Sequence, residues 1–574
     1  MDTPSRESTK VLLLALILSL SVGYPALYLT DEWISANQLN HIVHGKDLLH
    51  DYEPYGALNY QESHDNLLCY TLALPVMSYP VYMLFNLWGD SFRTFIIALW
   101  MILLLLLLFL LGHRYIRDLN YQDRFLAYGG VLALSAAIFF NICFYEPFSF
   151  SRGIQAYDIG VYPEVAAIVF ANHIAFAVCC LVTYLIFREV FASEWWGIFG
   201  LATLVAGSSY LFWSGNAKDH MLTILFFTIV VYFFILFLKQ GSYLHLISSF
   251  IAVGWVAWVR PELGLTLAIG LVLLALFFAY RRGFRAALTT LVCSVAILFG
   301  ALTLLLNNYG LTGHPLTLPW MTVEVDQGLS AMVNTHYTVQ KIEIAANLYH
   351  IFVNPVFENA SGIFQISPLS FFAVLLAVTL GYLLITRTAV HLEPLDRRYI
   401  ITFAAISAIV IFAYLRSLPG LGISPGINPD IRYLSPLYLP LTGLGLYALK
   451  LIDFTERDII TSLKTLGALA VTVLPLAYVI QQYLWPSSLA TQLTFLMWLS
   501  YSFLAVAAIT YLLALSKRLK TEYVAYALPI PLLFSLVWES VVDFRFATVG
   551  WEGYHFWIPL VQYVWYMQYH IFPF

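Results

Sequence analysis

Residues 11–33 read VLLLALILSLSVGYPALYLTDEW. The apolar part, 11–29, is long enough to cross a hydrocarbon core about 30 Å thick as one helix. It ends in the carboxylates Asp31 and Glu32, with Trp33 suited to a membrane–water interface. Carboxylates at such a depth are costly unless they are wet, paired or needed for chemistry. The run is long for the apolar region of a signal peptide and has no clear A-x-A site, so it reads as a retained span. Beyond it, Ala36, Leu39, Ile42 and Val43 fall together on a helix whose polar positions are Asn37, Gln38, Asn40, His41 and His44, and Gly45 is a stop signal. That pattern predicts an amphipathic helix lying along the membrane surface; an ordinary polar loop is the bland alternative.

The composition points the same way. The chain is 60% hydrophobic and only 11% charged, with a mean hydropathy of +0.78, which fits a bundle of membrane spans and excludes an ordinary soluble domain. The net charge of -5 and the lack of a long basic run give no reason to expect nucleic acid as a partner. The five cysteines form no C-x-x-C pair: Cys143, Cys179, Cys180 and Cys293 fall in apolar runs and Cys69 near one, as inert thiols do.

Apolar runs bounded by charge predict an all-α polytopic helix bundle with about 14–16 spans. They fall near residues 11–29, 92–112, 124–143, 161–187, 195–213, 220–239, 243–259, 262–280, 286–305, 366–386, 400–415, 433–452, 463–484, 493–515 and 523–543. An N-terminus inside puts the clusters Arg114/Arg117/Arg124, Arg281/Arg282/Arg285, Arg397/Arg398 and Lys517/Arg518/Lys520 in the cytoplasm. Counting 67–88 as a span would invert every later cluster. That segment, interrupted by Pro75 and Pro80, is therefore expected to be a surface or re-entrant helix in a long external loop, 30–91. A second external loop is expected over 306–365, and the aromatic stretch 554–574 reads equally as a span or an interfacial helix. The organisation expected is a catalytic membrane module over 1–305, the external loop 306–365, and a variable membrane half over 366–574.

On this map several charges share the side of Asp31: Lys218-Asp219-His220, Arg260-Pro261-Glu262, Arg432, and Arg152 with Asp158. Both signs converging on one face suggest a polar cavity open to the outside. Snorkelling and pairing at the headgroup level is the competing explanation for each residue alone. Arginine grips phosphate bidentately and stays charged, so Arg260 and Arg432 are candidate phosphate holders. A carboxylate can take the proton of an attacking hydroxyl. His41 and His44, three residues apart, lack a clear third and fourth ligand, so exposed histidines are expected there and no metal site is assigned.

These same marks resemble the GT-C superfamily, the polytopic glycosyltransferases that use polyprenyl-phosphate sugars, and within it the family 39 protein mannosyltransferases and the aminoarabinose transferases. The resembling features are a first span ending in Asp31-Glu32, then Asn216 to His220, Gly254 to Glu262, Gly310 to Pro315, Gly362 to Pro368, and Arg432-Tyr433 followed by Pro436. Together they cover roughly residues 1–450. The resemblance implies an inverting hexosyl- or pentosyltransferase working on the extracytoplasmic face, with a dolichyl or undecaprenyl phosphate donor and a lipid, glycan or protein acceptor. It makes Asp31 the base and Glu32 a supporting carboxylate, Asp219 the second acid with Asp158 as alternative, and Lys218, Arg260 and Arg432 the phosphate holders. No cofactor is indicated, although a divalent metal stays open for the second acid.

Two departures stand out. Two more spans separate Asp31 from Asp219 than the family pattern leads one to expect. Trp195-Trp196 is followed by Gly197 rather than Asp, so en bloc transfer to asparagine is not expected. The rival class is a transporter or flippase with the same charges along a path, but no paired, interrupted halves are visible.

Overall fold

The chain is described from a computed structural model, over residues 6–23, 32–48, 50–51, 66–67, 70–115, 129–130, 132, 136, 138, 163–318, 344–353, 362–386, 392–415, 432–479, 489–537 and 557–558. Over these residues its regular structure is helical, apart from a two-residue antiparallel bridge that pairs His50 with Leu67 and Asp51 with Asn66. Eight of the described helices are long and apolar enough to cross a membrane; they begin at Phe92, Pro163, His220, Pro261, Phe284, Pro368, Pro394 and Phe495. Glu194–Ala206, Tyr243–Val259 and Thr521–Val537 are apolar but shorter. The polytopic all-α reading stands, for the physical reason that lipid offers backbone groups no partners and a helix satisfies them internally.

The chain divides into two compact units. The first comprises Met1–Leu181, Leu211–Leu222 and Phe546–Phe574. In it the helix Arg6–Val22 packs on Phe92–Tyr115, tied by Trp100 Nε1 donating to Ser21 Oγ at 3.0 Å, and Ala73–Trp88 packs on Glu32–His44. Its aromatic centre is Trp557, fully buried among Phe85, Phe92 and Phe170. Three polar contacts fix that residue: its backbone N–H donates to the Gly23 carbonyl at 3.2 Å, its Nε1 to His173 Nε2 at 3.0 Å, and its carbonyl accepts from Arg93 Nε at 3.3 Å. A Cβ on Gly23 would stand 2.3 Å from His173 Nε2, so only glycine admits this approach. The last stretch of the chain thus supplies a core residue to its first half.

The second unit comprises Val182–Tyr210 and Thr223–Arg545. Tyr243–Val259 packs on Ala296–Thr312 where Gly254 meets Gly300, and a Cβ on Gly300 would lie 1.9 Å from the Ile251 carbonyl. Close backbone approach through small residues is how helices associate when apolar burial cannot drive them. Pro368–Ile385 packs on Tyr438–Leu451, and Asp396 is held by Lys450 Nζ at 2.9 and 3.0 Å and Tyr447 Oη at 3.0 Å.

Three local expectations need correction. The span expected over 195–213 ends at Ala206 because Gly207-Ser208-Ser209 offers no helix former, and a short helix, Tyr210–Ser214, follows. The span expected over 286–305 is present as the apolar stretch Phe284–Thr312, but a turn at Ser294-Val295 divides it into Phe284–Cys293 and Ala296–Thr312, and it runs into the expected loop before Gly313 stops it in a left-handed conformation. The helix Glu32–His44 ends as expected at Gly45 but does not lie on a surface. Asn37, Gln38, Asn40 and His41 are buried as fully as Ala36 and Leu39. Its polar side meets other polar groups of the protein, a partner that an amphipathic pattern cannot distinguish from water.

Over 67–88 the helix is Ala73–Trp88, with Pro80 inside it. At 1.5 Å per residue its 16 residues extend about 24 Å, short of a full hydrocarbon core.

Candidate active site

Two of the segments singled out in the sequence meet in the first unit. Glu32 opens its helix and is fully buried, and its Oε1 accepts the backbone N–H of Ala217 at 2.8 Å. Ala217 lies in the turn Asn216-Ala217-Lys218-Asp219 that leads into the helix His220–Gln240. The bond joins residues 185 positions apart. A carboxylate acceptor makes it stronger than an ordinary backbone pairing.

The same turn is gripped by a second side chain. Asn172 Nδ2 donates to the carbonyls of Asn216 at 2.7 Å and Lys218 at 2.9 Å, spending one hydrogen on each. Within the turn, Asn216 Oδ1 accepts the Lys218 N–H at 3.3 Å and Asn216 Nδ2 donates to the Phe212 carbonyl at 3.2 Å. The Trp213 ring lies 4.3 Å from that of His220, centroid to centroid. Lys218, Asp219 and His220 are all buried.

Depth matters here. Asn172 sits nine residues, or two and a half turns, inside the helix Pro163–Phe191, about 14 Å from its start. A lysine that merely snorkels to the headgroups belongs at the rim of its span. Lys218 is instead carried on a turn bound well inside an apolar helix.

The rest of the Glu32 helix is wired to its surroundings in the same fashion. Asn40 Nδ2 donates to Glu164 Oε1 at 2.8 Å, Gln38 Nε2 to the Tyr70 carbonyl at 2.6 Å, and His41 Nδ1 pairs with the Asp47 carbonyl. Burial, and behind it the Glu164 carboxylate, pushes the Tyr82 phenol above its ordinary pKa. The expectation of exposed histidines holds for His44 and fails for His41. Among the described residues no group of three His, Cys, Asp or Glu side chains is arranged to hold a metal.

Asp31 and Asp158 lie outside the described residues. Glu32, Lys218 and Asp219 are brought together on one turn and its partner, whereas Arg260 and Arg432 belong to the second unit. There the Arg260 guanidinium stacks over the Tyr433 ring, 4.8 Å from its centroid, and Tyr414 Oη donates to Glu262 Oε1 at 3.4 Å. Stacking uses the guanidinium face, while its five N–H donors lie in the plane at right angles to that contact. Arg432 opens the 3-10 helix Arg432–Leu437, and its side chain is outside the described residues.

Sequence reasoning passed over Asn172, Glu164 and Arg93. Each carried a signal: Asn172-His173 interrupts an apolar run, and Glu164 and the fully buried Arg93 stand at the first turns of apolar helices, where a polar group needs a reason.

No known family profile matches the chain, and no curated protein matches it. Among solved structures it is similar to the crystal structure of ArnT from Cupriavidus metallidurans bound to undecaprenyl phosphate. The identity is 11%, the match covers 93% of this chain and 76% of that one, and the TM-score is 0.41. A likeness this shallow assigns no chemistry by itself.

Proposed function

We propose that the chain is a membrane-embedded inverting glycosyltransferase that moves a sugar from a polyprenyl phosphate to a hydroxyl of a lipid, glycan or protein acceptor on the extracytoplasmic face. The observation that carries the reading is the bond between Glu32 and Ala217. It ties the acidic end of the first apolar segment to the Lys218-Asp219 turn, inside a unit that also buries Asn40, Glu164, Asn172 and His173. So many buried polar groups are costly, and chemistry on a polar substrate is a reason to keep them.

In this reading Asp31 takes the acceptor hydroxyl proton as that oxygen attacks the anomeric carbon from the face opposite the phosphate. The bond from the anomeric carbon to the phosphate oxygen breaks, and polyprenyl phosphate leaves with the electron pair. Glu32 supports the site by fixing the turn, Asp219 is the second acid with Asp158 as its alternative, and Lys218, Arg260 and Arg432 offset the phosphate charge. The catalytic module is residues 1–305, with the external loop 306–365 and a variable half 366–574. The N-terminus is cytoplasmic.

Removing a general base typically costs about 100–10,000-fold in rate. Asp31→Asn keeps the shape and removes the basicity, so turnover from an undecaprenyl- or dolichyl-phosphate sugar should fall by about that factor while donor binding persists. Near wild-type transfer by folded Asp31→Asn removes Asp31 as the base. If no donor supports transfer and purified protein in vesicles instead moves a solute across the bilayer, the transporter reading replaces this one.

A further inference from the structure

We infer that Asn172 is a positioning residue for the Lys218-Asp219 turn: its carboxamide and the Glu32 carboxylate clamp the turn's backbone from two sides. The inference rests on the glycosyltransferase reading and adds to it a residue that contacts no substrate.

A buried turn must satisfy its backbone groups somewhere, so hydrogen bonds alone would not single it out. Three features go further. First, the clamp takes one backbone group from each of three consecutive residues: the Asn216 carbonyl, the Ala217 N–H and the Lys218 carbonyl are taken by Asn172, Glu32 and Asn172 again. The next residue is Asp219, so the three held groups set the direction in which both Lys218 and Asp219 leave the backbone. Second, the two clamping side chains come from separate segments, the start of Glu32–His44 and the middle of Pro163–Phe191. Neither depends on the turn's own secondary structure. Third, the orientation of the amide is unambiguous, because both partners are carbonyls and only the NH2 end can face them. In that orientation Asn172 Oδ1, in a fully buried side chain, has no hydrogen-bond partner among the described residues. The side chain spends both donors on the turn and forgoes its acceptor, in the middle of an apolar helix where Leu or Val would be the ordinary occupant. Functional side chains need supports of this kind, since a displacement of about 1 Å at a reacting group can cost about 100-fold in rate.

The test uses purified full-length protein with Asn172→Asp, which keeps the size but not the NH2, and Asn172→Ala as a second variant in case the first folds poorly. Ser249→Ala is the control: Ser249 Oγ donates to the Val230 carbonyl in the other unit, so it loses one buried hydrogen bond away from the clamp. Amide hydrogen exchange should accelerate in the peptide covering 212–222 and stay unchanged over 163–171. Undecaprenyl phosphate is the binding probe, and its affinity should fall about 3- to 10-fold, the scale of one hydrogen bond. Sugar transfer should show kcat lower by about 10- to 100-fold at a Tm comparable with that of Ser249→Ala, whose kcat stays at wild type.

Unchanged exchange over 212–222 in both variants overturns the clamp. Faster exchange with unchanged affinity and kcat reduces it to a structural bond and overturns the positioning role. A wild-type protein that neither binds undecaprenyl phosphate nor transfers sugar overturns the glycosyltransferase reading, and the positioning role falls with it.

Discussion

Two of the polar turns between the described apolar helices are held in opposite ways. Arg260-Pro261-Glu262, in the second unit, is made locally. The Arg260 N–H bonds back to the Val256 carbonyl at 2.7 Å, the Gly264 N–H to the Arg260 carbonyl at 2.9 Å, and Pro261 occupies the first position of the next helix, where its missing N–H costs nothing. Asn216 to Asp219, in the first unit, is made at a distance. Its Ala217 N–H and its Asn216 and Lys218 carbonyls are taken by Glu32 and Asn172, far off in the chain. The first kind of turn survives the loss of its side chains, and the second does not. A locally built turn lets its charged residues vary at little cost to the fold, whereas the distant wiring makes the geometry at Lys218 and Asp219 depend on residues far away in the chain.

That contrast can be broken at several points. The largest effect on stability is expected at Trp557, which wires the chain's last stretch into the first unit. Trp557→Ala should cost about 3–5 kcal/mol, as loss of a buried aromatic does, and protease sensitivity should appear first in the segments of the first unit. If the first half of the chain keeps wild-type protection, Trp557 is not the centre of that unit. Glu32→Ala comes next: it leaves the buried Ala217 N–H without its acceptor, at about 1–3 kcal/mol, and should raise hydrogen exchange across 212–222. Glu32→Gln retains a carbonyl acceptor and should cost about 1 kcal/mol or less. Equal damage from the two would mean that the charge, not the hydrogen bond, holds the turn. Smallest in stability is Arg260→Ala, about 0.5–1 kcal/mol for the lost stacking on Tyr433. On the proposed reading it should nevertheless weaken donor binding clearly, with Arg260→Lys falling between, because lysine cannot pair bidentately. A large fall in Tm without a change in undecaprenyl phosphate affinity would reverse the contrast between the two turns.

Much of this was legible before any coordinates. Pro261 after Arg260 marked a tight hairpin, Gly45 marked a helix end, and the spans beginning at Pro163, His220, Pro261 and Pro368 fall within a few residues of where apolar runs place them. These are local properties, read within one or two turns of chain. The Glu32 helix shows where such reading stops. Its alternating polar and apolar positions specify that one side wants polar company, and water was the simplest supplier. In the folded chain the suppliers are Ala217, Glu164 and the Tyr70 carbonyl.

Composition and run length alone determined a helical membrane bundle, because hydrocarbon leaves the backbone no partner outside its own helix and an apolar run of about 20 residues matches the thickness to be crossed. They also placed the charged residues at the ends of spans, since a charge within one is too costly to go unnoticed. Only the tertiary structure decided which of those residues share a site. Asn172, one amide in an apolar helix, became the partner of a turn 44 and 46 residues further on, and Glu32 reached the same turn across 185. Hydrogen bonds between side chains and distant backbone leave no periodic trace in a sequence. Their energy depends on donor and acceptor meeting within about 3 Å, and folding alone brings them there.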